Sequence, residues 1–185
     1  MSYEFAKRTN PSTKQRFLSL EGAYHGDTVG AVSAGHIDLF HKAYSGFLFK
    51  TDIALSPYCY RCAFNKASPE RADARTYRNC KMECTKQVEQ KFEQRKKQGN
   101  NYSAFLVEPV IQGPAGLIAQ PKGWLSKVSN IARSHGTQII ADEVMTGLGR
   151  ASDNTFACHS ENIQPDYPVS YTHLRAHETR EDRVW

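Results

Sequence analysis

Two adjacent carboxylates, Asp142 and Glu143, carry the strongest chemical pattern in this chain. They follow Gln138, Ile139, Ile140 and Ala141, a short and mostly apolar run that suits a strand covered on both faces, as in a parallel sheet. Val144 and the flexible turn Gly147-Leu148-Gly149 come after. In open α/β sheets ligands gather where such strands stop, so Asp142 is expected to face a crevice with room for a flat ligand. An ionised carboxylate leaving water must be paired, and a protonated ring nitrogen of a bound cofactor would serve. The plainer reading of an Asp-Glu pair is a helix N-cap or a structural salt bridge. A third acid, Glu108, closes a second apolar run from Ala104 to Val107, and Pro109 behind it cannot extend a central ladder. Between the two runs lies a helix pattern from Pro121 to His135, with Trp124, Val128, Ile131 and Ala132 as its buried stripe and Gly136 as its stop. Strand, helix and strand then make one right-handed βαβ unit, which sets Glu108 and Asp142 on the border of the same crevice.

Phe17 to Leu20 reads as another short strand, and Gly22 and Gly26 frame Tyr24 and His25 in the turn that leaves it. Such glycines let the backbone approach a ligand while a phenol and an imidazole project from the strand end. A packing role for Tyr24 is the bland alternative. Asp27 is expected to cap the short helix that follows. Ile37 to Phe49 shows helical spacing at Ile37, Phe40, Tyr44 and Phe47, while His36 and His41 are too poorly spaced to share one helical face as ligands. Thr85 to Asn100 predicts a helix with a narrow stripe of Val88 and Phe92, and its Arg95-Lys96-Lys97 end suits the helix dipole.

Residues 57–84 differ from their surroundings. Cys59 and Cys62 form a C-x-x-C pair, and Cys80 and Cys84 form a looser C-x-x-x-C pair. No metal is expected as the first reading, which is a long excursion packed by small thiols; four thiolates on a zinc ion are the alternative. Cys158 and His159 are sequence neighbours, a poor arrangement for a nucleophile and its base.

At 185 residues and 39% hydrophobic content, the chain can bury the core of one ordinary domain. No apolar run is long enough for a membrane span, and the amino end lacks an apolar signal-peptide core, so cytoplasmic residence is the expectation. Twenty-four basic against 19 acidic residues give a net charge of +5, too diffuse to argue for nucleic acid. Five cysteines, four of them in one segment, do not make a secreted disulfide scaffold.

With these residues assembled, the chain resembles the class III, fold-type I, pyridoxal-phosphate-dependent aminotransferases. The resemblance is carried by Ala23-Tyr24-His25-Gly26-Asp27-Thr28, by Val107-Glu108-Pro109 with Gln112-Gly113, and by Ile140-Ala141-Asp142-Glu143-Val144 with Thr146-Gly147-Leu148-Gly149-Arg150. It implies an α/β fold: part of the large domain, a mostly parallel sheet with helices on both faces, spanning 1–168 and incomplete at both ends. Pyridoxal 5'-phosphate is the implied cofactor. Asp142 would hold its pyridinium nitrogen, Val144 would pack on one face of the ring, and Tyr24 would lie against the other, near the substrate. Glu108 would be a substrate-side carboxylate that orients its neighbours; His25 and Gly26 would support the tyrosine's corner, and Arg150 would clamp the following loop.

Ser19 to Thr28 and Gly35 to Lys42 narrow the resemblance to the biotin-pathway branch of that class. That branch implies amino transfer from S-adenosylmethionine, or lysine, to 8-amino-7-oxononanoate, by a homodimer acting on small molecules with no nucleic-acid or membrane partner. Alternatives are another class III transaminase, for an ω-amino acid, ornithine or aminobutyrate, or a non-catalytic zinc-stabilised binding module. The family's Schiff-base lysine and its glycine-serine phosphate loop match nothing in this chain, so no catalytic residue is assigned and the polypeptide alone is expected to be an inactive fragment. The stretch 169–185 resembles a translated sequencing-library adapter and is expected to be a non-native tail.

Overall fold

The computed structural model describes residues 1–37, 42–67 and 78–171. Five strands form one parallel sheet: β1 (Phe17–Leu20), β2 (Asp52–Ala54), β3 (Ala104–Val107), β6 (Gln138–Asp142) and β7 (Tyr167–Val169), in the spatial order β2-β1-β3-β6-β7. A separate antiparallel ribbon pairs β4 (Ile111–Gln112) with β5 (Ile118–Ala119).

The register explains the core. Leu18 stands opposite Phe105, and Phe105 opposite Ile139, so three apolar side chains line up across one face. Against them pack Val88 and Phe92 of helix α3 (Glu83–Lys97), and Trp124, Leu125, Val128 and Ala132 of helix α4 (Trp124–Ser134). All are essentially buried, and each large side chain contributes roughly 1.5–3 kcal/mol by leaving water. The opposite face carries α2 (Val29–Ala34), tied down by the Ser19 hydroxyl donating to Ala34 O at 2.7 Å. Helix α1 (Ser2–Thr9) reaches the sheet through Ser2, whose hydroxyl donates to Gln138 Oε1 at 2.9 Å. Helices on both faces are the expected layering.

Several expectations change. Gln138, Ile140 and Leu106 are only half-buried, so β6 is fully covered on one face alone. Thr28, not Asp27, caps α2, through a 3.4 Å bond from Ala31 N–H to Thr28 Oγ1. Asp27 is occupied by Tyr24, described below. Helix α3 begins at Glu83, two residues earlier than its charge pattern predicts, which brings buried Cys84 into its apolar stripe. Helix α4 begins later, at Trp124, because Pro121 to Gly123 make a turn and the Gly123 N–H donates to Glu161 Oε2 at 2.7 Å. Strand β2 has no sequence counterpart in the reading above; it is a three-residue edge strand whose Asp52 takes Arg16 at 2.6 Å and the Tyr102 hydroxyl at 2.8 Å. Of the expected helix over Ile37–Phe49, the part from Lys42 to Phe47 is a 3₁₀ segment with Tyr44 and Phe47 exposed; residues 38–41, Phe40 and His41 among them, lie outside the described residues. Strand β7 runs through Val169, and Glu143 N–H donates to Val169 O at 2.8 Å. Residues 172–185 of the expected tail lie outside the described residues.

Candidate cofactor site at the strand ends

Parallel pairing of Val107 with Ala141 places Glu108 beside Asp142 at the carboxyl edge of β3 and β6. The loop leaving β1 brings a third group. His25 Nδ1 lies 2.8 Å from Asp142 Oδ2, with side chains only 5% and 14% exposed. A carboxylate can only accept, so Nδ1 carries the proton and donates. The other carboxylate oxygen, Oδ1, takes the Val144 N–H at 3.2 Å. His25 is therefore the buried partner of Asp142, a more specific place than the supporting role assigned to it from sequence. No spacing rule links residues 25 and 142; only the parallel topology does.

Glu108 is 4% exposed. Burial pushes its carboxyl up to about 7, and the negative charge of Asp142 adds to the rise. The Gly113 N–H, which donates to Oε2 at 2.7 Å, the charge of His25 and a hydrogen bond from the Tyr24 backbone oppose it. Oε1 and His25 Nε2 are both buried with no hydrogen bond of ordinary geometry among the described residues. His25 Nε2, left in this way at the strand ends, is an atom that a bound polar ligand could complete.

Tyr24, next to His25 in the same loop, is half-buried. Its hydroxyl donates to Asp27 Oδ2 at 3.0 Å, and that bond is the main reason the phenol is raised above its usual range. Gly26, at φ +109, supplies a backbone turn that an L side chain rarely adopts.

Glu143 has a different job from its neighbour. Completely buried, it accepts the Thr146 hydroxyl at 2.6 Å, the Ala157 N–H at 3.0 Å and the Cys158 N–H at 2.8 Å, which folds 144–158 back over the end of β6. The structural reading thus suits Glu143, while Asp142 keeps the crevice. Arg150 donates to Val144 O and Gly147 O, both at 3.3 Å, so it closes the preceding turn rather than the following loop. The Cys158 thiol is pushed up to about 12 by burial and by Glu143, and the His159 ring packs edge-on against Phe156; neither arrangement makes a nucleophile.

Two glutamines, Gln112 of the Gln112-Gly113 motif and Gln120, which the sequence reading does not single out, hold the loop beside Glu108. Gln120 Oε1 accepts the Val110 N–H and its Nε2 donates to Glu108 O, while Gln112 Nε2 donates to Glu21 O at 2.8 Å and its Oε1 accepts the Ser56 hydroxyl. Gly113 lies under Met145; a Cβ there would fall 2.1 Å from the sulfur. The loops after β3 and β6 are therefore in contact.

Asp142 meets the requirement for a flat cationic heterocycle. Its carboxylate sits at a strand end with one hydrogen bond on each oxygen, and each oxygen can accept a second. These residues fit a pyridinium ring.

The fold and this acid-lined edge define a class, and the class is confirmed by comparison: the chain belongs to the class III aminotransferase family, whose model matches residues 1–170. Aminotransferases of this class depend on pyridoxal phosphate. Among curated relatives, the adenosylmethionine-8-amino-7-oxononanoate aminotransferase of Geobacter sulfurreducens is 40% identical over 166 residues, covering 90% of this chain and 34% of the relative. The leucine/methionine racemase of Thermococcus litoralis is 37% identical over 157 residues, 83% of this chain and 32% of the relative. Among solved structures, adenosylmethionine-8-amino-7-oxononanoate aminotransferase from Methanocaldococcus jannaschii superposes with a TM-score of 0.69 at 28% identity, covering 91% of this chain and 34% of that one. The chain spans about a third of the length of the curated relatives it matches.

Proposed function

We propose that the protein to which this chain belongs is a cytoplasmic, homodimeric aminotransferase of biotin biosynthesis. It would transfer an amino group from S-adenosylmethionine, or lysine, to 8-amino-7-oxononanoate, giving 7,8-diaminononanoate. The observation that carries the chemistry is the His25–Asp142 pair at the end of β6, beside a buried Glu108. The similarity to 8-amino-7-oxononanoate aminotransferases, at up to 40% identity, supports the substrate.

When bound, pyridoxal phosphate supplies an electron sink for the carbon that loses its proton. Asp142 would hold the ring nitrogen protonated by presenting a fixed negative charge in a site of restricted solvent access. His25 orients that charge: donating Nδ1–H to Oδ2 fixes the carboxylate plane. Val144, its N–H already spent on Asp142 Oδ1, would offer its side chain to one ring face, and Tyr24 would border the other and the substrate. Glu108 would orient substrate-side groups, and at neutral pH its carboxyl is near its midpoint, able to hold or release a proton at Oε1.

The chain spans 34% of its 40%-identical curated relative. On this reading the cofactor-bearing amine lies in the portion that the chain does not span, and this polypeptide alone would not transaminate. The relative named as a racemase gives a second reading, amino-acid racemisation on the same ring-binding edge. Incubating the whole protein with pyridoxal phosphate, S-adenosylmethionine or lysine, and 8-amino-7-oxononanoate separates the two. Diaminononanoate detected by mass spectrometry is the expected result; racemised leucine or methionine with no diamine would replace this reading with the second.

A further inference from the structure

The turn that follows Glu108 is strained. Val110 has φ +68, a left-handed conformation in which a β-branched residue is a genuine outlier. The Ile111 N–H donates to Pro109 O at 2.7 Å, so three residues close a tight turn around it. Such a backbone persists only where its surroundings over-determine it, and here one residue supplies the hold. The β4–β5 ribbon sets Ile111 opposite Ala119, which carries Gln120 to Val110, and the Gln120 N–H donates to Val110 O at 2.8 Å. The Gln120 side chain, 1% exposed, takes the Val110 N–H on Oε1 at 3.0 Å and donates from Nε2 to Glu108 O at 2.6 Å. Gln120 thus grips Val110 at both its N–H and its carbonyl, and Glu108 at its carbonyl.

That grip decides where the Glu108 carboxyl points. Reversal at Val110 brings the chain back over Glu108, so the Gly113 N–H donates to Oε2 at 2.7 Å. A hydrogen bond from the Tyr24 backbone reaches the same carboxyl, and the charges of His25 and Asp142 bear on it. Glu108 therefore joins the loop after β3 to the loop after β1. Freed of the amide, Val110 relaxes toward the negative φ that valine prefers, and the reversal that sets Gly113 on Glu108 opens. Space-filling does not explain an amide at this position. An apolar side chain of the same size would pack, but it would deprive the Val110 N–H and the Glu108 carbonyl, in two buried residues, of that partner.

We propose that Gln120 is a positioning residue, whose buried amide holds the strained turn at Val110 and so fixes Glu108 between Gly113 and the loop that carries Tyr24 and His25. Gln120 acts through Glu108 and needs no contact with a ligand. Its effect on turnover rests on the aminotransferase reading above; its effect on the placement of Glu108 does not.

The test follows the Gly113 amide by magnetic resonance in glycine-labelled protein as pH is raised. In the parent that signal should shift with the Glu108 carboxyl, with a midpoint of about 7, and the shift should vanish in Glu108→Gln, which assigns it. Gln120→Met keeps the volume and removes both side-chain bonds; it should abolish the Gly113 shift while the protein stays folded. Adding Val110→Gly, which takes up a positive φ without strain, should restore the shift. Should Gln120→Met fail to fold, Gln120→Asn, whose shorter amide cannot reach both partners, is read for the same outcomes. In the whole protein, Gln120→Met should raise the KM for 8-amino-7-oxononanoate about tenfold, with kcat changed less. A Gly113 shift that survives in Gln120→Met, or that Val110→Gly does not restore, overturns the proposal. A parent that does not transaminate, with the Gly113 shift still lost in Gln120→Met, overturns the functional reading and leaves the positioning role supported.

Discussion

Replacing Glu108 with glutamine should stabilise the protein above neutral pH and leave it little changed in acid. The folded state holds the Glu108 proton more tightly than the unfolded chain does, since its carboxyl rises from 4.5 to about 7. Stability from that proton is complete below the unfolded value and is lost as pH rises through the interval to about 7, after which it is flat. The rise corresponds to roughly 3 kcal/mol, and at 4% exposure solvent screening removes little of it. Glutamine keeps an acceptor for the Gly113 N–H and cannot ionise. Urea unfolding of both proteins across the pH range reads the difference, because carboxyls that do not interact with Glu108 cancel between them. Glu108→Gln should gain on the parent by a few kcal/mol between about pH 4.5 and 7.5. A stability gap that stays constant with pH would refute the burial argument.

Two more perturbations probe the turn after β6. Glu143→Ala strips the acceptor from Thr146, Ala157 and Cys158, and should cost roughly 3–5 kcal/mol in a denaturant melt; a loss below about 1 kcal/mol would mean the carboxylate is dispensable. Gly147→Ala puts a Cβ 2.8 Å from the Glu143 carbonyl oxygen, a backbone atom with little room to move, so a loss of about 1–3 kcal/mol is expected from the same melt.

The central part of this fold could be read from residue types. Ala104 to Val107 and Gln138 to Ala141 are apolar runs ended by acids and joined by a periodic helix, so their pairing and the neighbouring positions of Glu108 and Asp142 follow from the right-handed crossover. What escaped is non-local. The approach of His25 to Asp142 spans 117 positions and exists only because β1 lies beside β3 in the sheet. Strand β2 is three residues long, too short for a periodic signal, and its Asp52 gains meaning only once Arg16 and Tyr102 converge on it. The sequence reading gives Asp142 a role and Glu143 none of its own; Glu143, just past the end of β6, is buried beneath Ala157 and Cys158. The apolar spacing at Tyr44 and Phe47 misled because both lie at the surface of a 3₁₀ segment rather than on a buried face.

The claim on which the functional account depends is that Asp142 supplies the anionic partner of the cofactor's ring nitrogen. The direct measurement is the magnetic-resonance shift of an isotope-labelled pyridine nitrogen in pyridoxal phosphate bound to the whole protein, compared with the Asp142→Ala variant. A protonated nitrogen in the parent that becomes unprotonated in the variant is the predicted result. The same protonated signal in both proteins would contradict it.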